Sequence, residues 1–430
     1  MITKSKFEIE FIIAREILDS RGDPTVEAEV HLSGGAVGRA SVPSGASVGA
    51  NEVVELRDND RRFNGRGIMR AVRNINDIIG PALRGKDARE QREIDVTMIK
   101  LDGTPQKSKL GGNAILAVSV AVIKAAANAS NKKLYEYVNK GEDYVLPVPL
   151  MNVINGGKHA GNELKIQEFM VIPAKFDSFP EALRAGVEIY HALKKFLMNK
   201  YGTTAVNVGD EGGFAPPMKK TSDALDALTN AIELAGYLPG KNVFLGIDAA
   251  ASNFFDPKTN KYMLDDKDLS SYDLLDFYIE MAKRYPVRSI EDPFHEEDFE
   301  MFAIMKKEVG DKVQIVGDDI FTTNLNRVSK GITMNAANAL LFKLNQVGTI
   351  TEAFETFNLA KKSGWNVVVS HRSGETEDTY IADISVGKAS GQIKTGAPCR
   401  GERTAKYNQL LRISEELKDR AGFCNVGIFS

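Results

Sequence analysis

The hydrophobic rhythm of the chain changes along its length. Thr25–Leu32 alternates apolar and polar residues at period two, Ser33-Gly34-Gly35 supplies a turn, and Ala36–Val42 resumes the alternation. This predicts a hairpin and a β-rich start. After the Gly- and Ser-containing stretch Pro43–Gly49, the segments around Ile68–Leu83 and Asn113–Val138 carry Ala/Ile/Val-rich helical patterns,. Residues 1–140 therefore read as one α+β domain. The charged stretch Asn139–Tyr144, followed by Pro147-Val-Pro149, reads as a linker,.

From 141 to 430 the texture becomes short β-branched runs, each followed by a helical stretch. Six runs finish on a charged or ionisable residue: Val243–Asp248, Val287–Glu291, Val313–Asp318, Ala339–Lys343, Val367–His371 and Gly391–Lys394. After a longer first interval the ends recur about every 25 residues, enough for a strand, a helix and two loops. Repeated βα units imply a parallel sheet buried on both faces. A closed barrel explains why ionisable residues gather at the carboxyl ends of strands, where the βα loops share one mouth. The competing fold is an open doubly wound sheet, which usually carries a nucleotide loop. Gly65-Arg-Gly67-Ile-Met-Arg70 lacks the third glycine and a preceding strand, and Gly34–Ser41 lacks the lysine and spacing of a P-loop,. The barrel is preferred.

Composition narrows the functional classes. The 430 residues hold 55 Lys+Arg against 58 Asp+Glu, a net charge of −3, with 43% hydrophobic residues. A nearly neutral chain offers no field for wholesale binding of nucleic acid or anionic membrane. Two cysteines, Cys399 and Cys424, are too few for a disulfide framework and fit a reducing compartment,. The N-terminus lacks the uninterrupted apolar core of a secretory signal, and the longest apolar stretch, Ile115–Ile123, is short of a bilayer span,. The expectation is a soluble cytoplasmic protein.

Chemistry concentrates at the predicted barrel mouth. Asp248, Glu291 and Asp318 end three successive strands. Three hard oxygen donors side by side suit Mg²⁺ or Mn²⁺ rather than zinc. Lys343 and Lys394 end later strands. Burial, a neighbouring ammonium and metal cations would favour a neutral amine at Lys343, and thus a general base. The run His371-Arg372-Ser373-Gly374 suits an anionic group of a substrate,. Glu211 lies in Gly209-Asp-Glu-Gly-Gly213, where glycines permit close backbone approach and loop movement,. Earlier come His159, in the Gly-rich stretch after Asn152-Val-Ile-Asn, and Gln167-Glu168-Phe169.

These residues, with Asp19-Ser-Arg-Gly-Asp-Pro-Thr-Val-Glu27, Pro43-Ser-Gly-Ala-Ser47, Ser108–Ile115, Ser289-Ile-Glu-Asp-Pro293, Ser370–Asp378 and Gln392-Ile-Lys-Thr-Gly396, give a chain that resembles the enolase family from about Glu16 to Arg412. The resemblance implies an irregular ββαα(βα)6 barrel under an α+β cap. It further implies glycolytic dehydration of 2-phosphoglycerate to phosphoenolpyruvate with two Mg²⁺ per site, in a homo-oligomer, dimeric or octameric. Carried over residue by residue, Lys343 takes the C2 proton, Glu211 protonates the departing C3 hydroxyl, and Glu168 assists. Asp248, Glu291 and Asp318 hold one metal, and Ser44 joins the second to substrate phosphate. Arg372 and Ser373 bind phosphate, Lys394 contacts the substrate carboxylate, His159 closes over the substrate, and Gln167 and His371 complete the substrate contacts.

Two departures from the family pattern stand out. Ser47-Val-Gly-Ala has Val48 where threonine is common, and Gly111-Gly-Asn-Ala has Gly112 where alanine is common. Val48 bears on closure of the Ser44 loop. Two other readings share these features: another acid-sugar dehydratase or racemase with the same barrel and metal carboxylates, and a non-catalytic relative retained for binding. The two glutamates and the His-Arg-Ser run oppose the first; the complete set of base and ligands opposes the second.

Overall fold

A computed structural model describes residues 5–45, 51–423 and 427–429. Ser47 and Val48, and with them the expectation about loop closure, lie outside the described residues, as does Cys424. The chain opens with an antiparallel sheet, β1 (Ile9–Leu18), β2 (Pro24–Leu32) and β3 (Val37–Ser41), in that spatial order. β2 and β3 form the expected hairpin, and β1 adds a strand that the alternation around Thr25 did not delimit. The helical stretch near 68–83 forms as Met69–Arg73 and Gly80–Leu83 joined by a π turn, Asn74–Ile79.

Two longer helices follow, α1 (Gln91–Asp102) and α2 (Gly112–Ala129). α2 is long and apolar enough to cross a bilayer by length and composition, yet 89% of it is buried inside the protein. It is the core helix on which β2 and β3 pack. The predicted continuous helix Asn113–Val138 breaks after Ala129, where Asn131 takes a left-handed φ of 52°, and a short helix Leu134–Val138 resumes. The expected linker is also shorter than read. Tyr144–Leu146 is a strand paired with Ala421–Phe423, and Pro149 lies inside the first barrel strand.

Eight strands close the barrel: β4 (Val148–Asn155), β5 (Glu168–Ile172), β6 (Phe244–Asp248), β7 (Val287–Glu291), β8 (Gln314–Gly317), β9 (Ala339–Phe342), β10 (Asn366–Ser370) and β11 (Gly391–Lys394), which pairs back to β4. β5 runs antiparallel to both neighbours, and every other pairing is parallel. The helices α3 (Phe179–Tyr201) and α4 (Thr221–Leu234) both follow β5 before β6 begins. The remaining units alternate as α5 (Ser271–Arg284), α6 (Phe299–Val309), α7 (Leu325–Thr333), α8 (Ile350–Lys362), α9 (Tyr380–Gly387) and α10 (Gly401–Leu417). The architecture is the irregular ββαα(βα)6 barrel with a separate N-terminal unit.

Strand parity connects this core to its mouth. Successive side chains on a strand face opposite ways, so residues two apart share a face. Met170, Ile172, Phe244 and Leu341 belong to an apolar cluster closed by Phe429, which stacks on Phe244 at 5.7 Å. The same parity carries Met170 to Glu168 and Leu341 to Lys343. The rim charges are therefore continuations of the barrel core.

Candidate active site

Fifteen side chains at the mouth enclose a pocket of about 460 Å³, among them His159, Gln167, Glu168, Glu211, Asp248, Asp318, Lys343, His371, Arg372, Ser373 and Lys394. The structure thus brings together all the sequence-predicted residues except Glu291 and Ser44 as direct lining. Glu291 sits just below, with both carboxylate oxygens accepting from Lys394 Nζ at 2.9 and 2.8 Å. Ser44 stands at the side, where its Oγ donates to Glu55 and accepts from Arg21 and Arg57. Its backbone pairs with Gly374, joining the N-terminal unit to the phosphate-binding candidates.

The three acids are buried and held apart by lysines. Lys394 Nζ bridges Asp248 Oδ2 at 3.2 Å and Glu291, and also approaches Glu168 at 3.2 Å. Asp318 Oδ2 pairs with Lys343 Nζ at 2.5 Å, and its Oδ1 accepts from Gln346 at 2.8 Å. Burial and the charge of Asp248 drive the Glu291 carboxyl well above its usual range, against the pull of Lys394. A carboxylate cluster that repels itself in this way, with only oxygen donors, fits a hard divalent cation. The tightest groupings of potential ligand atoms among the described residues are instead His159–Glu168–Glu211 and Asp292–Asp318–Asp319. Asp292 is committed elsewhere: its two oxygens accept the backbone N–H groups of Asp318 and Asp319, fixing the β8 end from a left-handed φ of 42°.

Opposing neighbours act on the charge of Lys343. Burial works against its charge, but Asp318 outweighs burial and the repulsion of Arg372 and Lys394, so its pKa is raised.

At the opposite side, Glu211 Oε1 accepts from Ser373 Oγ at 3.0 Å and Oε2 from Asn152 Nδ2 at 2.9 Å. Gly209 and Gly213 make this possible, because a Cβ on either would lie 2.2 or 2.3 Å from the Asn155 amide. Burial pushes Glu211 upward, but the imidazoles of His159 and His371 and the cations Arg403 and Lys394 hold it well below its usual range. Glu168 moves the other way, raised by burial and by the charge of Glu211. The two carboxyls facing His159 are thus driven in opposite directions. His159 Nδ1, Asn152 Oδ1 and Thr395 Oγ1 are buried without hydrogen-bond partners among the described residues. Buried polar atoms normally find partners, so this end is built for a polar ligand.

Four contributors escaped sequence reasoning. Glu52 forms a two-pronged pair with Arg372 at 2.9 and 3.2 Å. Asn152 and Gln346 each hold a rim carboxylate, and Arg403 lies fully buried behind His371. Only Asn152 stands within a quoted motif, after the apolar run Val148–Met151.

Comparison with known proteins agrees with this geometry. Residues 9–138 match the family model described as the enolase N-terminal domain, and 143–428 match the enolase C-terminal TIM barrel domain. A protein named enolase from Methanocaldococcus jannaschii is 59% identical over 412 residues, covering 96% of each chain. One from Thermococcus kodakarensis is 58% identical over 415 residues, again covering 96% of each. A third, from Methanococcoides burtonii, is 57% identical over 421 residues and 98% of each. With both domains matched and near-complete coverage, the chain belongs to the enolase family.

Proposed function

We infer that this barrel mouth interconverts 2-phosphoglycerate and phosphoenolpyruvate plus water, the phosphopyruvate hydratase step of glycolysis. The chain is a hydro-lyase acting on a small molecule. What supports the residue roles is the placement of one amine and a pair of carboxyls on different walls of a single buried pocket. Lys343 is the base for the C2 proton, and Glu211, with Glu168 beside it, serves the C3 hydroxyl. Removing a proton next to a carboxylate builds negative charge, which Lys394 is placed to receive. Arg372 and Ser373 take the phosphate, while Gln167, His159 and His371 orient and enclose the substrate.

Asp248, Glu291 and Asp318 would hold one Mg²⁺ and Ser44 would contribute to a second. Cations held there would supply charge stabilisation for the developing carbanion, while Asp318 is the residue that pairs with Lys343,. The domain division at 140/141, a homo-oligomer of dimeric or octameric form, and a cytoplasmic location complete this reading. The direct test is the purified protein with Mg²⁺ and 2-phosphoglycerate: ultraviolet absorbance of phosphoenolpyruvate should rise, and an intact, metal-loaded sample giving no rise would refute the activity.

A further inference from the structure

Arg403, at the start of α10, is fully buried and does not line the pocket. Its Nη1 lies 2.7 Å from His371 Nδ1 and 2.6 Å from the carbonyl of Arg372. Its Nη2 donates to the carbonyls of Asp210, at 3.0 Å, and Ser373. Those carbonyls belong to two loops: one precedes Glu211, the other carries the His371–Gly374 run. A guanidinium has donors only, so the His371 nitrogen facing it must accept. An imidazole that accepts at Nδ1 carries its proton at Nε2, and that nitrogen is 3.7 Å from Glu211 Oε2,.

We propose that Arg403 is the positioning residue of the acid end: it fixes His371 as the Nε2–H tautomer facing Glu211, and ties together the loops bearing Glu211 and Ser373. The inference deepens the reading above and rests on Glu211 serving the C3 hydroxyl. The groups facing His371 are consistent with one form. Burial and the cations Arg403, Lys394 and Lys343 oppose its protonation and outweigh the attraction of Glu211. Arg403 therefore acts on the reaction through His371 and the loop backbones, without touching substrate. Its Nε makes no hydrogen bond among the described residues and pairs with Glu402 at 3.5 Å, so the hydrogen bonds that hold the side chain are those of its Nη atoms.

The chain has five histidines, so selective ¹⁵N labelling of the imidazoles gives a readable spectrum. His371→Gln assigns the His371 signals in the full-length protein. The expected wild-type result is a protonated Nε2 and a bare Nδ1 that persist across the neutral pH range. In Arg403→Met this single tautomer should be lost, with kcat falling about 100-fold and KM changing about threefold or less, as for misplacement of a reacting group. Arg403→Lys keeps one donor for Nδ1 but cannot span three carbonyls; it should keep the tautomer and recover kcat only partly. A proton on Nδ1 in the wild type would overturn the proposal, and that measurement stands even if the Met variant fails to fold. An unchanged tautomer and kcat in Arg403→Met would also overturn it. Full elimination activity in Glu211→Gln would instead remove the role of Glu211, leaving the tautomer result intact, so the two failures are distinguishable.

Discussion

Gln346 shows how a rim residue is tuned from behind. Its side-chain nitrogen holds Asp318 Oδ1 at 2.8 Å, its oxygen accepts from Thr323 Oγ1 at 2.8 Å, and its backbone carbonyl accepts from Val53 of the N-terminal unit. Asp318 thus offers its other oxygen in a fixed direction. Groups that orient a metal ligand commonly account for 10–100-fold in affinity. Gln346→Leu should therefore weaken Mg²⁺ binding about 10–100-fold by titration calorimetry; an unchanged dissociation constant would disconnect Gln346 from the metal. At this scale the sequence was informative where chemistry interrupts an apolar run, as at Asp248, Glu291 and Lys343. It was silent where a role depends on a distant partner: Gln346 meets Asp318 across 28 positions, Arg403 meets His371 across 32, and Glu52 meets Arg372 across 320.

Elements pack at two contacts that can be tested without catalysis. β3 rides on the backbone of α2 at Gly38, where a Cβ would lie 2.1 Å from the Ala121 carbonyl and 2.3 Å from the Ala125 nitrogen. Backbone cannot step aside as a side-chain tip can, so Gly38→Ala should destabilise by about 1–3 kcal/mol in a chemical melt. No change would mean that strand and helix do not approach so closely. The second contact is Asp95 on α1, which accepts from Ser119, Gln91 and both the N–H and Oγ1 of Thr351 at the start of α8.

Burial pushes Asp95 up to about 6 despite those donors. An acid whose folded pKa is raised binds more protons folded than unfolded between about 4 and 6, so its contribution to stability declines as pH rises through that window. A rise of that size corresponds to about 3 kcal/mol. The stability difference between wild type and Asp95→Asn should shift by about that amount between pH 4 and 7, in favour of the variant at the higher pH; a flat difference would show that Asp95 does not titrate there. α1 carries its charges through an apolar pattern, which is why its helical period went unread, whereas the alternation of β2 and β3 was plain. The Ser130–Lys133 break has no proline, and its turn depends on Asn131 tolerating a left-handed φ.

The whole molecule is a barrel whose mouth is completed by the N-terminal unit. Glu52, Ser44 and Asp95 all reach across, to Arg372, Gly374 and Thr351. The barrel class was legible in the repeated βα runs, but the closure order and the reversed strand β5 were not, because strand direction leaves no mark on a short apolar segment. The family resemblance supplied that irregularity. The pocket concentrates buried acids, so Mg²⁺ should raise the melting temperature by an amount that grows with the logarithm of its concentration above the dissociation constant, and chelation should remove both that rise and the activity. A melting temperature indifferent to Mg²⁺ would argue against the carboxylate site.

Under the proposed function, one pocket separates proton removal at C2 from departure of the C3 hydroxyl. Exchange of the C2 proton of 2-phosphoglycerate with solvent deuterium, followed by NMR in Mg²⁺-loaded Lys343→Ala and Glu211→Gln proteins, tests it most directly. Lys343→Ala should abolish exchange, whereas Glu211→Gln should exchange without forming phosphoenolpyruvate. Exchange retained in Lys343→Ala, or exchange and elimination lost together in Glu211→Gln, would contradict it.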